Sequence, residues 1–345
     1  MSRDMWYCDE KADVSPIVSS RVRLARNLRK YPFQAVISDE TSREMVGEAV
    51  GLLSRRFEPV DFDRKSESEK RALLERHCVS PEFLRAAKPK GLMMRRDERV
   101  SVMLNEEDHV RIQAIAPGED IESAWADANQ VDDFIEENME YAFDRDYGYL
   151  TSCPTNTGTG MRASFMAHLP MMEKTGHLRN VLPSITKFGY TIRGIYGEGT
   201  EPLGSVYQVS NQVTLGKSEE DILKGLRNVA GQMVDIENRL RERAMADASG
   251  DFEDQIYRAF GILAYSRKIG ADEAMSLLSN VRLGYLVGIR PKAEINGTIY
   301  QIMMDIQPGN LQWREGKELD ENARDAARAR FLRGVFGGTE AGKGE

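Results

Sequence analysis

The chain has 345 residues, of which 41% are hydrophobic, so it can bury a sizeable core and has the length of about two domains. Its formal net charge of -8 disfavours a general nucleic-acid binder, because such proteins need a surplus of Lys and Arg to displace counterions from phosphates. Three scattered cysteines disfavour a disulfide framework, and no apolar run is long enough to span a membrane. Because a signal-peptide pattern is also lacking, we expect a cytoplasmic protein without membrane contact.

The first two thirds of the chain alternate predicted helices and strands. Residues 66–78 begin with polar candidate caps and then place Leu73, Leu74 and His77 at helical spacing. Residues 91–115 contain β-branched and Met-rich runs broken by polar turns, which is typical of antiparallel strands. Further along the chain, the same reasoning predicts helices at 120–146, 177–188 and 218–246, and strands at 190–197 and 204–211.

The last hundred residues have a different pattern. Small and polar residues at 246–251 suit a junction between domains. The segments 251–270, 271–288 and 320–337 each have helical periodicity. We therefore predict an α+β fold, with an antiparallel sheet flanked by helices at 16–246, a mainly α-helical C-terminal domain at 250–337 and a flexible tail at 338–345.

The common nucleotide-binding and zinc-binding signatures are absent. Gly216-Lys217-Ser218 resembles the end of a P-loop, but Asn211 occupies the position of the first glycine that this motif needs. There is no HRD catalytic loop, and Asp251-Phe252-Glu253 is not a DFG motif. The four histidines show no metal-ligand spacing with the cysteines, so we predict no metal site formed by protein ligands.

Several arginines lie next to predicted turns or in short strands. In the strand-like stretch SSRVR, Arg21 and Arg23 point to the same face because the side-chain period of a strand is two. Two guanidinium groups on one face can bracket a polyphosphate. Arg111, Arg162 and Arg193 have similar settings, although any one of these arginines in isolation would be interpreted as a surface ion-pair partner.

The motifs SSRVR, NEEDHVR and CPTNTGTGMR together resemble the catalytic domain of the phosphagen kinases, the creatine and arginine kinases, from about Pro16 to Ala246. The segment RGIYGEGTEPLGSVYQVSNQ and the helical C-terminal region resemble the bacterial protein-arginine kinases over essentially the whole chain. This resemblance implies an ATP-dependent kinase that phosphorylates arginine side chains of proteins. It also implies Mg²⁺, which would bind mainly phosphate oxygens and water.

In that family five arginines hold the phosphates of ATP in place of a P-loop, and their motifs match the five arginines above. A family histidine near the adenosine matches His77. The nucleotide-contacting positions that the resemblance implies are Ser19, Ser20, Arg21, Val22, Arg23, His77, Arg111, Arg162, Ala163, Ser164, Phe165, Met166, Arg193, Gly194, Ile195, Tyr196, Gly197 and Glu198.

The acceptor side needs carboxylates, because a guanidinium is protonated at neutral pH and is a poor nucleophile. The resemblance assigns the catalytic carboxylate to Glu107 and a second glutamate, on a loop that grips the guanidinium, to Glu198. Cys153 matches a family cysteine beside the reacting guanidinium, and we expect it to tune the reaction. Glu106 and Asp108 would support the site, although three acidic residues in isolation would be a solvated turn.

A second motif lies near the C-terminus. The family's phosphoarginine-binding motif RDxxRA is matched at Arg324, Asp325, Arg328 and Ala329, and on a helix the two arginines share one face. The resemblance implies an allosteric phosphoarginine site here. In isolation the same string would be an exposed helix with charge compensation between residues four apart.

The resemblance also implies partners: protein substrates with exposed arginines that are marked for degradation in a stress response, a heat-shock repressor, an activator protein, a Clp-type protease and a second copy in a homodimer. One alternative is a kinase for free arginine or another small guanidino compound. It is disfavoured because only 18 residues precede Ser19, where phosphagen kinases have a helical domain. Another is a phosphoarginine-binding protease adaptor, which the intact glutamates and arginines disfavour.

Overall fold

The computed structural model describes residues 5–194, 202–292 and 295–337. Its strands are β1 Ile17–Arg26, β2 Glu58–Val60, β3 Gly91–Met94, β4 Val100–Leu104, β5 Val110–Pro117, β6 Phe143–Asp144, β7 Gly148–Tyr149, β8 Met161–His168, β9 Tyr190–Gly194 and β10 Val206–Asn211. Its α-helices are α1 Asp39–Leu53, α2 Glu67–Glu75, α3 Pro81–Arg85, α4 Ile121–Glu136, α5 Pro170–Lys174, α6 His177–Lys187, α7 Glu219–Ala246, α8 Asp251–Tyr265, α9 Ala271–Leu286, α10 Ile299–Asp305, α11 Pro308–Glu315 and α12 Glu321–Phe336.

Eight strands form one sheet in the order β2-β3-β4-β5-β1-β8-β10-β9, and every neighbouring pair is antiparallel. Helices α1, α4 and α7 pack against the sheet over a hydrophobic core that contains Val22 and Leu24 of β1. This architecture confirms the predicted α+β fold. Because a strand alternates its faces, the side chains of Arg21 and Arg23 lie on the face opposite that core.

The helix predicted at 120–146 was too long. Helix α4 ends at Glu136, and the Asn138 side chain then donates to the carbonyl of Phe134 at 2.8 Å. Residues 141–142 instead pair with residues 27–28, where the amide of Ala142 donates to the carbonyl of Asn27 at 2.7 Å. Pairing with this distant segment therefore outweighs the helical spacing of Met139 and Ala142.

The C-terminal residues form helices, as their periodicity predicted. Sequence reasoning missed the two short helices α10 and α11, although Thr298 caps the first and Pro308 begins the second. Helices α8, α9, α10 and α12 share a second hydrophobic core with Trp6, Tyr7 and Ala12 from the start of the chain. The predicted junction lies between α7 and α8, and the predicted tail at 338–345 lies outside the described residues.

None of the helices within the described ranges combines the length and the apolar character that a membrane span requires.

Candidate active site

Strand register brings four arginines of three strands to one face of the sheet. Arg23 on β1 pairs with Arg162 on β8, so their side chains point the same way. Ala25, two residues further along β1, pairs with Arg111 on β5. Since Arg21, Arg23 and Ala25 alternate with core residues, all four arginines share the face opposite the core.

Arg193 joins this group from the far edge of the sheet. It pairs with Gln208 on β10. Gln208 pairs in turn with Met166 on β8, and Met166 pairs with Ser19 on β1. The five arginines thereby line one cavity of about 680 Å³, as the resemblance led us to expect. The other residues that line it are Leu74, His77, Val79, Ser80, Pro81, Glu82, Arg85, Met103, Glu107, Gln113, Thr155, Gln208 and Gln212.

Burial and the concentrated positive charge both shift the pKa values of two of these arginines. Burial, reinforced by Arg162 and Arg111, lowers the pKa of Arg21 to about 10. Burial and the neighbouring guanidinium groups also lower the pKa of Arg23. The Nε atoms of Arg21, Arg23 and Arg111 are buried without a hydrogen-bond partner. Buried donors normally find partners, so this arrangement suits an anion with several oxygens, such as a triphosphate.

Side chains of β10 orient two of these arginines. Gln208 accepts a hydrogen bond from Arg21 Nη2 at 2.8 Å, and Ser210 Oγ accepts one from Arg162 Nη2 at 3.1 Å. Ser164 lies in register with both Arg21 and Ser210, and its buried hydroxyl has no hydrogen-bond partner. Sequence reasoning missed Gln208 and Ser210, although their alternation along a predicted strand was a usable signal.

Some residues that we expected to contact the nucleotide have their side chains on the sheet face opposite the arginines. The Ser20 hydroxyl donates to the carbonyl of Gly118 and accepts from the amide of Asp120, both at 2.8 Å. The side chains on this opposite face, which therefore cannot reach the cavity, are those of Ser20, Val22, Ala163 and Phe165. The residues Ser19, Ser164 and Met166 share the arginine face but do not line the cavity. Gly194 ends β9, and Ile195, Tyr196, Gly197 and Glu198 lie outside the described residues.

His77 follows α2 rather than lying on it. A capping box of Ser66 and Glu69 starts this helix, and His77 then adopts a left-handed conformation with φ 61°. The Gln113 side chain donates to the His77 carbonyl, and the imidazole lines the cavity. Burial, with Arg21 and Arg23 nearby, lowers the pKa of His77 to about 3. A neutral ring suits contact with a base or ribose better than charge pairing with phosphate.

Hydrogen bonds to Glu106 and Asp108 hold the acidic turn that follows β4. Glu106 is buried and accepts hydrogen bonds from Ser80, from the Glu107 amide and from Arg111 Nη1, the last at 2.6 Å. Although burial by itself would raise the pKa of Glu106, Arg111 and the hydrogen bonds lower it below its ordinary value. Asp108 accepts from Asn27 Nδ2 at 2.7 Å and from the Ser152 amide at 2.6 Å. These two carboxylates therefore act as supports.

Glu107 is the acidic residue of this turn that faces the cavity. Its side chain is 38% exposed, and its Oε2 lies 3.8 Å from Arg111 Nη1. Burial, aided by the charges of Asp108 and Glu106 and opposed by Arg111, raises the pKa of Glu107. A carboxylate with a raised pKa is a better proton acceptor, which suits a group that deprotonates a guanidinium.

Cys153 lies at the edge of the same site. The Ser152–Asp108 hydrogen bond ties its loop to the acidic turn. Its Sγ lies 3.0 Å from Thr155 Oγ1, and Thr155 lines the cavity whereas Cys153 itself does not. The thiol is half-buried, so a modulating contact near the acceptor is compatible with its place.

Protein families and known proteins with similar sequences show the family of this chain. Residues 41–240 match the ATP:guanido phosphotransferase C-terminal catalytic domain, and residues 249–344 match the protein-arginine kinase McsB C-terminal domain. The chain is 41% identical to a protein-arginine kinase of Caldanaerobacter subterraneus, covering 93% of this chain and 96% of that protein. It is 42% identical to one of Halalkalibacterium halodurans, covering 95% and 94%. The chain belongs to the protein-arginine kinase family.

Solved structures support the fold of this family member. The duplicated taurocyamine kinase of Schistosoma mansoni, without substrate, has a TM-score of 0.59 at 23% identity and is matched over 70% of this chain and 37% of that one. A lombricine kinase has a TM-score of 0.59 at 21% identity, over 68% and 71%. At these identities the likeness concerns the phosphagen-kinase-like fold alone.

The RDAARA motif of this kinase lies on α12, but its arginines have different environments. Arg328 is 1% exposed and donates to the carbonyl of Ile306 at 3.1 Å, to that of Ile269 at 2.8 Å and to Asp325 Oδ1 at 2.7 Å. Arg324 is half-buried and donates to the carbonyl of Leu319 at 2.8 Å. Arg328 therefore connects α12 to the segments that contain Ile269 and Ile306, while Arg324 lies nearer the surface.

This difference predicts unequal effects on stability. Arg328→Ala is expected to lower the free energy of unfolding by roughly 2–4 kcal/mol, because it leaves two buried carbonyls without a donor. Arg324→Ala should lower it by less than about 1 kcal/mol. Urea unfolding followed by circular dichroism measures both values. Equal losses in the two variants would contradict the structural role assigned to Arg328.

Proposed function

We propose that the chain transfers the γ-phosphoryl group of ATP to arginine side chains of proteins. The observation that carries this proposal is the single cavity in which Arg21, Arg23, Arg111, Arg162 and Arg193 meet Glu107. Phosphoryl transfer needs positioning and charge stabilisation more than covalent help, and fixed guanidinium groups supply both. The family membership and the curated relatives support arginine as the acceptor.

The nucleotide would lie with its phosphates among the arginines and its adenosine toward His77, Leu74, Val79 and Met103. Mg²⁺ would bind phosphate oxygens and water, and would neutralise charge that develops on the transferred group. Among the described residues, no group of three or more His, Cys, Asp and Glu side chains could hold a metal ion. The five arginines that line the cavity would bind the phosphates to which the metal is attached.

On the acceptor side, Glu107 would orient the guanidinium and take a proton from the attacking nitrogen. The nitrogen forms its bond to phosphorus as the bond between the γ-phosphorus and the bridging oxygen of ADP breaks. Glu198 would grip the other side of the guanidinium, and Cys153 would tune its reactivity. Glu106 would keep Arg111 in place, because these two residues share a 2.6 Å ion pair.

We also propose a phosphoarginine site at Arg324, Asp325, Arg328 and Ala329. Asp325 is partly exposed and could accept from a guanidinium N–H, while Arg324 could pair with the phosphoryl group. Ala329 is buried and Arg328 donates hydrogen bonds to carbonyls, so they would shape this site from within.

The family resemblance also supports proposals about assembly, location and partners. These are a homodimer, a cytoplasmic location, a role in the stress response, degradation of the substrates, and interactions with a heat-shock repressor, an activator and a Clp-type protease.

The test uses the purified full chain with ATP, Mg²⁺ and an arginine-rich protein, and a parallel reaction with free arginine. Mass spectrometry under non-acidic conditions should detect phosphoarginine in the protein. Phosphorylation of free arginine but not of protein would favour a small-guanidine kinase. Binding of phosphoarginine without any transfer would favour an adaptor, and label confined to Ser, Thr or Tyr would contradict the proposal.

A further inference from the structure

In the turn at Arg76–His77, His77 lines the nucleotide cavity, and the backbone of the preceding residue, Arg76, is contacted by Trp6. The Trp6 indole is completely buried, and its Nε1 donates to the carbonyl of Arg76 at 3.3 Å. Its ring lies 6.2 Å from the His77 imidazole, centroid to centroid. On the cavity side, the His77 carbonyl accepts from Gln113 of β5. The backbone around His77 is thus held between the indole and the sheet.

The C-terminal helices hold the same turn. Glu75 accepts hydrogen bonds from the amides of Gly309 and Asn310, at 2.8 Å and 2.7 Å, so α2 and α11 are joined at their ends. A Cβ at Gly309 would lie 2.6 Å from the Ala72 amide nitrogen, which shows how closely the two helices approach. Arg76 pairs with Glu98 at 2.8 Å. These contacts and that of Trp6 together hold the turn in place.

Trp6 is in turn fixed by the C-terminal region. Its ring packs 6.0 Å from that of Tyr300 on α10, within the second hydrophobic core. Asp13, which follows on the same N-terminal segment, accepts from Arg282 Nε at 2.8 Å and from the amide of Tyr300 at 3.3 Å. Arg282 is completely buried and also donates to the carbonyl of Ala12 at 2.7 Å. The N-terminal segment thus connects the C-terminal helices to the cavity wall.

We propose that Trp6 is a positioning residue for the nucleotide cavity: it holds the Arg76–His77 turn in the conformation that receives ATP, and the C-terminal helices hold Trp6. The proposal rests on the assignment of this cavity to ATP. A positive φ at His77 is unfavourable for a residue with a side chain, so the turn needs such external support. Loss of the support should weaken ATP binding more than it slows transfer from bound ATP.

The experiment compares Trp6→Ala and Trp6→Phe with the full-length wild type by calorimetric titration of ATP and by steady-state kinetics. Trp6→Phe keeps an aromatic ring but loses the N–H donor, so ATP binding should weaken roughly 2–10-fold. Trp6→Ala should weaken it further, by about 10–100-fold, because the turn is then misplaced. The rate at saturating ATP should fall much less than the affinity in both variants.

Phe336→Ala is the matched control. Phe336 is buried in the same hydrophobic core, where it packs edge to face on Phe260 at 5.7 Å, but it does not line the cavity. The Phe336→Ala substitution should lower the midpoint of thermal unfolding without changing the affinity for ATP. Wild-type ATP affinity in folded Trp6→Phe and Trp6→Ala would overturn the inference, as would equal weakening in the control. If Trp6→Ala does not fold, Trp6→Phe decides alone. Failure of the wild type to bind ATP would contradict the proposed function and this inference with it.

Discussion

Replacing Glu107 by Gln is expected to lower the rate of phosphoryl transfer by about 10²–10⁴-fold, the usual loss when one acid–base interaction is removed. Glutamine keeps the shape of the side chain but cannot take a proton from the guanidinium. ATP affinity should change little, because Glu107 borders the arginine cluster and Arg111, which lies 3.8 Å from it, keeps its 2.6 Å bond to Glu106. Rapid-quench kinetics and calorimetric titration of ATP measure the two quantities separately.

The pH dependence provides an internal check on Glu107. Only the ionised carboxylate accepts a proton, so the wild-type rate should fall as the pH drops through the pKa of Glu107. Because burial raises that pKa, the fall should begin at a higher pH than for an ordinary glutamate. Glu140→Gln, which changes a glutamate whose side chain is 70% exposed, is the matched control and should retain wild-type activity. Full activity in Glu107→Gln would remove Glu107 from the mechanism.

Replacing Arg162 by Ala is expected to lower the rate of transfer by about 10²–10³-fold, because it removes a fixed positive charge that we propose is directed at the phosphates. Arg162 lines the cavity, lies in register with Arg23 and contacts Ser210 through Nη2. The fold should persist, since Arg162 belongs to neither hydrophobic core. Kinetics at saturating ATP, together with a thermal unfolding curve, measure the two effects.

An exposed arginine controls for the loss of charge. Arg29 is 70% exposed and pairs with Glu140 at 2.5 Å, an arrangement that contributes little to stability. Arg29→Ala should therefore leave the rate of transfer unchanged. Arg193→Ala should lower the rate about as much as Arg162→Ala, because Arg193 lines the same cavity. A folded Arg162→Ala variant with wild-type turnover would show that Arg162 is not part of the phosphate site.

The sequence pattern predicted secondary structure correctly where residues close together in the chain determine the conformation. The alternation in SSRVR placed Arg21 and Arg23 on one face, and the apolar spacing at 218–246 predicted a helix that the structure has as α7. It failed at residues 137–146, where pairing with residues 27–28 ended the helix early. It also placed His77 on α2, although the chain leaves the helix at Arg76.

The sequence by itself determined the α+β fold class, the longer helices after residue 66, the acidic turn and, through motifs that resemble a known family, the group of arginines. It did not predict helix α1 or strand β8. Only the tertiary structure decided which of these residues meet. Strand register across β5, β1, β8, β10 and β9 brought the five arginines to one face and turned Ser20, Val22, Ala163 and Phe165 away. Packing also joined Trp6 to the turn at His77 and buried Arg328. A one-residue change of register would turn the side chains of a strand to the other face, so the contacts between segments far apart in the chain depend on register and core packing.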